Sequence, residues 1–249
     1  MRPRKTGETL SFLAGILLLA ALIQAAGWLK GDPLVFPGVG EILRAFFRLL
    51  VSPHTWRLIG VTLGHLLLSM VISTAIGVLI GLAEGMSNVV RNLFRPLMIL
   101  LRSIPMIVLV VIIMVLMKYD KVPVTAASLI LIPVISEAAC EGCRRIEPEL
   151  IDVYRLNGGF SFSVLRQVYI PLMAGYLRQA YVNAVGSGIK LAVTTEYLVQ
   201  TRNSLGKAIY SSVYFNEYQD IYAYALIMIL LVLLISELPR WIYRMTQRS

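Results

Sequence analysis

Residues 137–171 read Glu137-Ala-Ala-Cys-Glu-Gly-Cys-Arg-Arg-Ile-Glu-Pro-Glu-Leu-Ile-Asp-Val-Tyr-Arg-Leu-Asn-Gly-Gly-Phe-Ser-Phe-Ser-Val-Leu-Arg-Gln-Val-Tyr-Ile-Pro171, and they separate two long apolar stretches. Arg144, Arg145, Glu147, Glu149, Asp152, Arg155 and Arg166 cannot sit at the centre of a bilayer, where each charge costs roughly 2.5 to 3.5 kcal/mol. The segment therefore leaves the lipid. Yet Leu150, Ile151, Val153, Tyr154, Leu156, Phe160, Phe162, Leu165 and Val168 give it too much apolar surface for a solvated loop. It reads as a short helix, a turn at Asn157-Gly158-Gly159 able to supply the left-handed conformation that ends helices, and a second short helix capped by Ser161 or Ser163. Pro171 is expected to open the next membrane helix.

The rest of the chain agrees with a membrane setting. It is 57% hydrophobic and only 15% charged, against about 25% charged in soluble domains. The formal net charge of +9 does not point to nucleic acid, because the basic residues flank apolar runs and form no aromatic-interleaved patch. The 249 residues are expected to form one polytopic, all-α transmembrane domain.

Apolar runs of about 20 residues give six candidate spans: Thr9 to Leu29, Leu58 to Leu82, Leu93 to Met117, Val122 to Ala139 (short, and broken by Pro123 and Pro133), Pro171 to Val199, and Ile221 to Leu238. A helix over Val39 to Val51 carries Arg44 and Arg48 and is placed at the outer interface. The N-terminal run lacks a small-residue cleavage site and is expected to be retained. Arg2, Arg4, Lys5, Arg91, Arg95, Arg144, Arg145, Arg155, Arg166, Arg240, Arg244 and Arg248 fall on one side if the N-terminus is inside. By the positive-inside rule that side is the cytoplasm, so both termini are expected there.

Within this frame the chain resembles the permeases of binding-protein-dependent ABC importers. Asp152-Val153-Tyr154, three residues, Gly158, nine residues, then Val168-Tyr169-Ile170-Pro171 is similar to that family's loop pattern of Glu-Ala-Ala, three residues, Gly, nine residues, and Ile-x-Leu-Pro. The literal Glu137-Ala138-Ala139 lies at the wrong distance. Val61-Thr62-Leu63, Gly77, Gly81, Gly85, Ser87, Pro96, Arg102-Ser103-Ile104-Pro105, Glu196 and Leu205-Gly206 resemble the nitrate, sulfonate and taurine branch. Met117-Lys118-Tyr119-Asp120 and Lys190 with Thr194-Thr195 depart from it.

The resemblance implies a type I importer fold of about six transmembrane helices, with a cytoplasmic coupling loop over 140–171. It implies two permease copies, expected as a homodimer in a bacterial inner membrane, and two ABC ATPase subunits gripping Asp152, Tyr154, Gly158, Phe160, Phe162, Val168, Ile170 and Pro171. An external solute-binding protein delivers cargo, and transport proceeds by alternating access. No phosphate-loop motif occurs in the chain, so ATP and Mg are expected on the partner subunits and no cofactor on this one. Lys118, Lys121, Arg202 and Lys207 near the outer mouth favour a small anionic cargo.

Arg102, Ser103, Pro105, Lys190, Thr195 and Glu196 are candidate pathway residues, because ionisable groups within spans face water or protein. Arg102 reads equally well as a snorkelling anchor. Lys190 and Glu196, six residues apart, do not share a helical face. Gly77 and Gly81 form a small-xxx-small pair expected to pack helices closely, and His65 is expected to be a packed, hydrogen-bonded residue. Cys140-Glu-Gly-Cys143 has the spacing of a metal or redox pair, but no second pair accompanies it; reduced thiols and no metal are expected. An intramembrane enzyme would need a nucleophile and base at one depth, and a passive channel would leave the cytoplasmic element unexplained. Both are weaker readings.

Overall fold

The computed structural model describes residues 37–145 and 164–246, with side chains to 235, and isolated helical positions at Ala14, Gly15, Leu18, Ala21 and Ala25. The expected first span and the centre of the coupling loop lie outside the described residues. The described chain is helical throughout, with no strand: α1 Val39–Val51, α2 Pro53–Met86, α3 Asn88–Ser103, α4 Met106–Leu116, α5 Val122–Arg144, α6 Ile170–Val199 preceded by a π turn at Leu165–Tyr169, α7 Leu205–Tyr214 and α8 Tyr218–Thr246.

Punctuation residues set these bounds. Extended Ser52 precedes α2, and Pro53 sits in its first turn, where a missing N–H costs nothing. The Ser87 hydroxyl accepts from Val90 N at 3.4 Å to start α3. Gln200, at φ 57° and ψ 43°, turns the chain out of α6, and Ser204 starts α7 by accepting from Lys207 N. α1 is held by the Arg48–Asp220 ion pair to the first turn of α8.

Three features differ from the sequence reading. Leu93–Met117 is not one straight helix: α3 and α4 meet at a bend of 104°. Pro105 forces Ile104 out of the helical region, to φ −66° and ψ 126°, and hydropathy is blind to that. Val122–Ala139 is neither short nor broken, for α5 runs 23 residues to Arg144. Pro123 lies in its first turn, and Pro133 is accommodated inside it. Residues 140–144 thus belong to the helix and not to a loop. Finally, Pro171 does not start a new helix. The chain is already helical from Val164, and Ile170 N donates to Leu165 O. This widened turn lies just before the proline, which lacks an N–H and crowds the carbonyl four residues back.

Among the described residues, α2, α5 and Tyr218–Ile235 of α8 are long and apolar enough to cross a membrane, and α3 with α4 would make a fourth, bent crossing. α6 has 30 residues, about 45 Å at 1.5 Å per residue, but its polar content keeps it below that level of apolarity. One core joins Leu58, Ile59 and Leu66 of α2 to Ile189, Val193, Leu205, Tyr224 and Ile227. A second holds α4 on α5 through Leu109, Val110, Ile113, Val122, Ala126 and Val199.

Candidate functional site

The scaffold of the site is the contact between α2 and α5. Small residues recur every fourth position on α2 at Ser69, Ser73, Gly77, Gly81 and Gly85, forming one stripe. Ser73 Oγ donates to Ser69 O at 2.6 Å and lies 3.2 Å from Ser128 O; Ser69 Oγ donates to His65 O at 2.7 Å. A Cβ on Gly77 would sit 3.0 Å from Ile132 O, and one on Gly81 would collide with the Ser136 carbonyl. The two backbones therefore touch, as the small-xxx-small pattern leads one to expect.

At the other end of α2 lies a buried polar cluster. Glu196 is fully buried. Thr62 Oγ1 donates to its Oε2 at 2.8 Å, and Gly206 N donates to the same oxygen at 3.2 Å. His65 Nδ1 lies 2.7 Å from Oε1. Thr62 Oγ1 in turn accepts from Leu205 N at 3.1 Å. One side chain thus ties α2, α6 and the start of α7 together, and the backbone approaches so closely that a Cβ on Gly206 would strike Glu196 and the Tyr197 backbone. The structure brings together Thr62, Glu196 and Leu205-Gly206, which the sequence presented only as separate motifs. The His65–Glu196 partnership was missed; its signal was the three-residue spacing of Thr62 and His65 on one helical face.

Of the other candidate residues, Thr195 is fully buried and donates to Leu191 O at 2.8 Å, while Lys190 is exposed. Lys190 belongs to a feature the sequence reading did not assemble. Gln179, Asn183, Ser187, Lys190 and Thr194 are all exposed, and at 3.6 residues per turn they fall within an arc of about 80°. The opposite face of α6, with Ala180, Ala184, Gly188 and Ala192, is buried. Lys190 has no ion-pair partner among the described residues. The signal was the spacing of 4, 4, 3 and 4 residues between polar positions.

Arg102 lies in the last turn of α3, and its Nη2 donates to Pro133 O at 2.8 Å and pairs with Glu137 Oε2 at 2.7 Å. It is held by α5 and not merely extended toward water. Its neighbours Ser103 and Pro105 are exposed at the bend. Between α3, α5 and the last turn of α2 opens a cavity of about 470 Å³, whose walls include Glu84, Arg91, Arg95, Arg102 and Glu137. Glu84 is buried there and accepts from Ser136 Oγ at 3.3 Å.

Of the coupling residues, Val168 is buried while Ile170 and Pro171 are exposed at the start of α6. Asp152, Tyr154, Gly158, Phe160 and Phe162 lie outside the described residues. Cys140 and Cys143 are buried free thiols. No group of three or more metal-ligating side chains is assembled among the described residues.

In fold the chain is similar to a solved chain described as the MetNI methionine ABC transporter in inward-facing conformations, CY5 native crystal form. The TM-score is 0.61 at 20% identity, covering 76% of this chain and 92% of that one. No curated protein matches it in sequence. Residues 73–249 match the model of the family described as binding-protein-dependent transport system inner membrane component. That stretch takes in the seam between α2 and α5 from Ser73 onward, the polar face of α6 and Glu196, and the chain belongs to this family of inner-membrane transport components.

Proposed function

We propose that the chain is the permease subunit of an ATP-driven ABC importer of small anionic or organic solutes, of the nitrate, sulfonate or taurine kind. Two copies form the pathway in a bacterial inner membrane, with both termini in the cytoplasm. An external solute-binding protein delivers the cargo. The chain hydrolyses nothing itself. Two ATPase subunits bind ATP and Mg and grip the Asp152 to Pro171 segment, whose movement is passed along the helix that begins at Val164 and continues as α6. Alternating access follows as nucleotide-driven closure of the ATPases shifts the balance between two arrangements of the spans.

The observation that carries this reading is the polar face of α6. A membrane-length helix with Gln179, Asn183, Ser187, Lys190 and Thr194 exposed along one side must turn that side to water or protein and not to lipid. A solute pathway supplies the water, and Lys190 supplies a cation for an anionic solute. Arg102, Ser103 and Pro105, at the bend between α3 and α4, belong to the same pathway in this reading. Glu196 and Thr195 act from behind the pathway by fixing α6 on α2 and α7.

Assembly tests this directly. Tagged protein purified from its native membrane in mild detergent should bring an ATPase subunit with it in equimolar amount. Gly158→Val, at the turn expected from Asn157-Gly158-Gly159 in the sequence, should reduce that recovery at least several-fold with membrane levels unchanged. Well-folded wild-type protein that always purifies without an ATPase would contradict the assignment.

A further inference from the structure

The cavity between α3, α5 and the end of α2 has a charge pattern that the transport reading does not use. Five arginines line it, Arg91, Arg95, Arg102, Arg144 and Arg145, against three glutamates. At one end Arg102 is neutralised by Glu137. Toward the other end Arg144 donates to Asn88 Oδ1 at 2.8 Å, a neutral partner, and forms no ion pair among the described residues. Arg91 and Arg95 stand one turn apart on the same face of α3, like charges that repel at this spacing, and neither forms an ion pair among the described residues. Glu84 and Glu141 are the remaining carboxylates among the described lining residues, which thus carry two positive charges in excess. Met98 and Ile99 add apolar wall beside the arginines.

We infer that this cavity binds a phosphate-class oxyanion, and that its source is the headgroup of an anionic phospholipid. Arginine pairs with phosphate through two parallel N–H bonds, and Arg91 with Arg95 can take one phosphate from two sides. Basic hollows between membrane helices on the cytoplasmic side are suited to such headgroups. The end holding Arg91, Arg144 and Arg145 is on that side by the distribution of basic residues, while the Met98 and Ile99 wall accepts the start of an acyl chain. A volume of about 470 Å³ holds a glycerophosphate group with room for water. The inference needs the cavity alone and stands whether or not the chain imports anions.

Native mass spectrometry of the full-length, delipidated protein tests it. Phosphatidylglycerol should be retained far better than phosphatidylcholine, and Arg91→Gln/Arg95→Gln should lower its affinity at least tenfold. Arg202→Gln, far along the chain from the cavity, should leave it unchanged. Thermal unfolding without lipid confirms that the double variant is folded. If inorganic phosphate at millimolar concentration stabilises the wild type but phosphatidylglycerol is not retained, and Arg91→Gln/Arg95→Gln abolishes the stabilisation, the oxyanion site stands with a soluble source. Equal retention of the two lipids without any phosphate effect, or phosphatidylglycerol or phosphate binding that survives the double substitution, would overturn it.

Discussion

Glu196 shows how one residue's surroundings decide its role. A carboxylate fully removed from solvent, accepting from Thr62 and Gly206 and in contact with His65, is a fastening, since the Thr62 and Gly206 donors would otherwise be buried polar groups without a partner. Glu196→Ala should therefore destabilise the fold by about 3 kcal/mol, because removing one member of a buried, charged network strands the others. Thermal unfolding in detergent measures this, and Gly206→Ala should produce a loss of the same sign through steric collision. Glu196→Gln keeps the acceptor oxygen for Thr62 or Gly206 and should lose less than alanine. An unfolding midpoint for Glu196→Ala equal to wild type would return the residue to the pathway. The sequence made the placement of Lys190 and Glu196 on different faces legible, because six residues do not complete whole turns. It could not show that a histidine more than a hundred positions away lies against Glu196, as that depends on how α2 and α6 pack.

At the scale of elements, the seam of α2 and α5 was readable and the bend was not. Small residues every fourth position identify a close helix contact without any structure, and Gly77, Gly81 and Gly85 do meet α5 backbone or side chains. Gly60 and Gly64, on the same helix, have open space around them. Gly81→Val should thus destabilise the protein strongly, by roughly 2 to 3 kcal/mol as an overpacked contact, and Gly60→Ala should be neutral or slightly stabilising through helix propensity. Equal melting behaviour of the two variants would contradict the seam. α1 was legible at both ends because Gly38 and Pro53 punctuate it. The α3–α4 bend was hidden because apolar residues continue on both sides of Ile104-Pro105 and hydropathy sums over the break. The continuous helix through Pro171 was hidden too, since a proline after serines resembles a fresh start and a π turn leaves no pattern of its own. The polar face of α6 escaped notice because five polar residues spread over sixteen positions are diluted in any window average.

Taken across all its helices, the protein is proposed to carry an aqueous, anion-favouring path along the polar face of α6. Charged, membrane-impermeant thiol reagents read this at single positions. Cys140 and Cys143 would first be replaced by alanine, and single cysteines then placed at Asn183 and, for comparison, at Leu233 on an exposed apolar part of α8. In the complex within its native membrane, a sulfonate-bearing thiosulfonate should modify Asn183→Cys readily and Leu233→Cys hardly at all. It should also outpace the trimethylammonium analogue at Asn183→Cys, and Lys190→Gln should shrink that preference several-fold. Inert Asn183→Cys, or a preference that Lys190→Gln leaves untouched, would contradict the account.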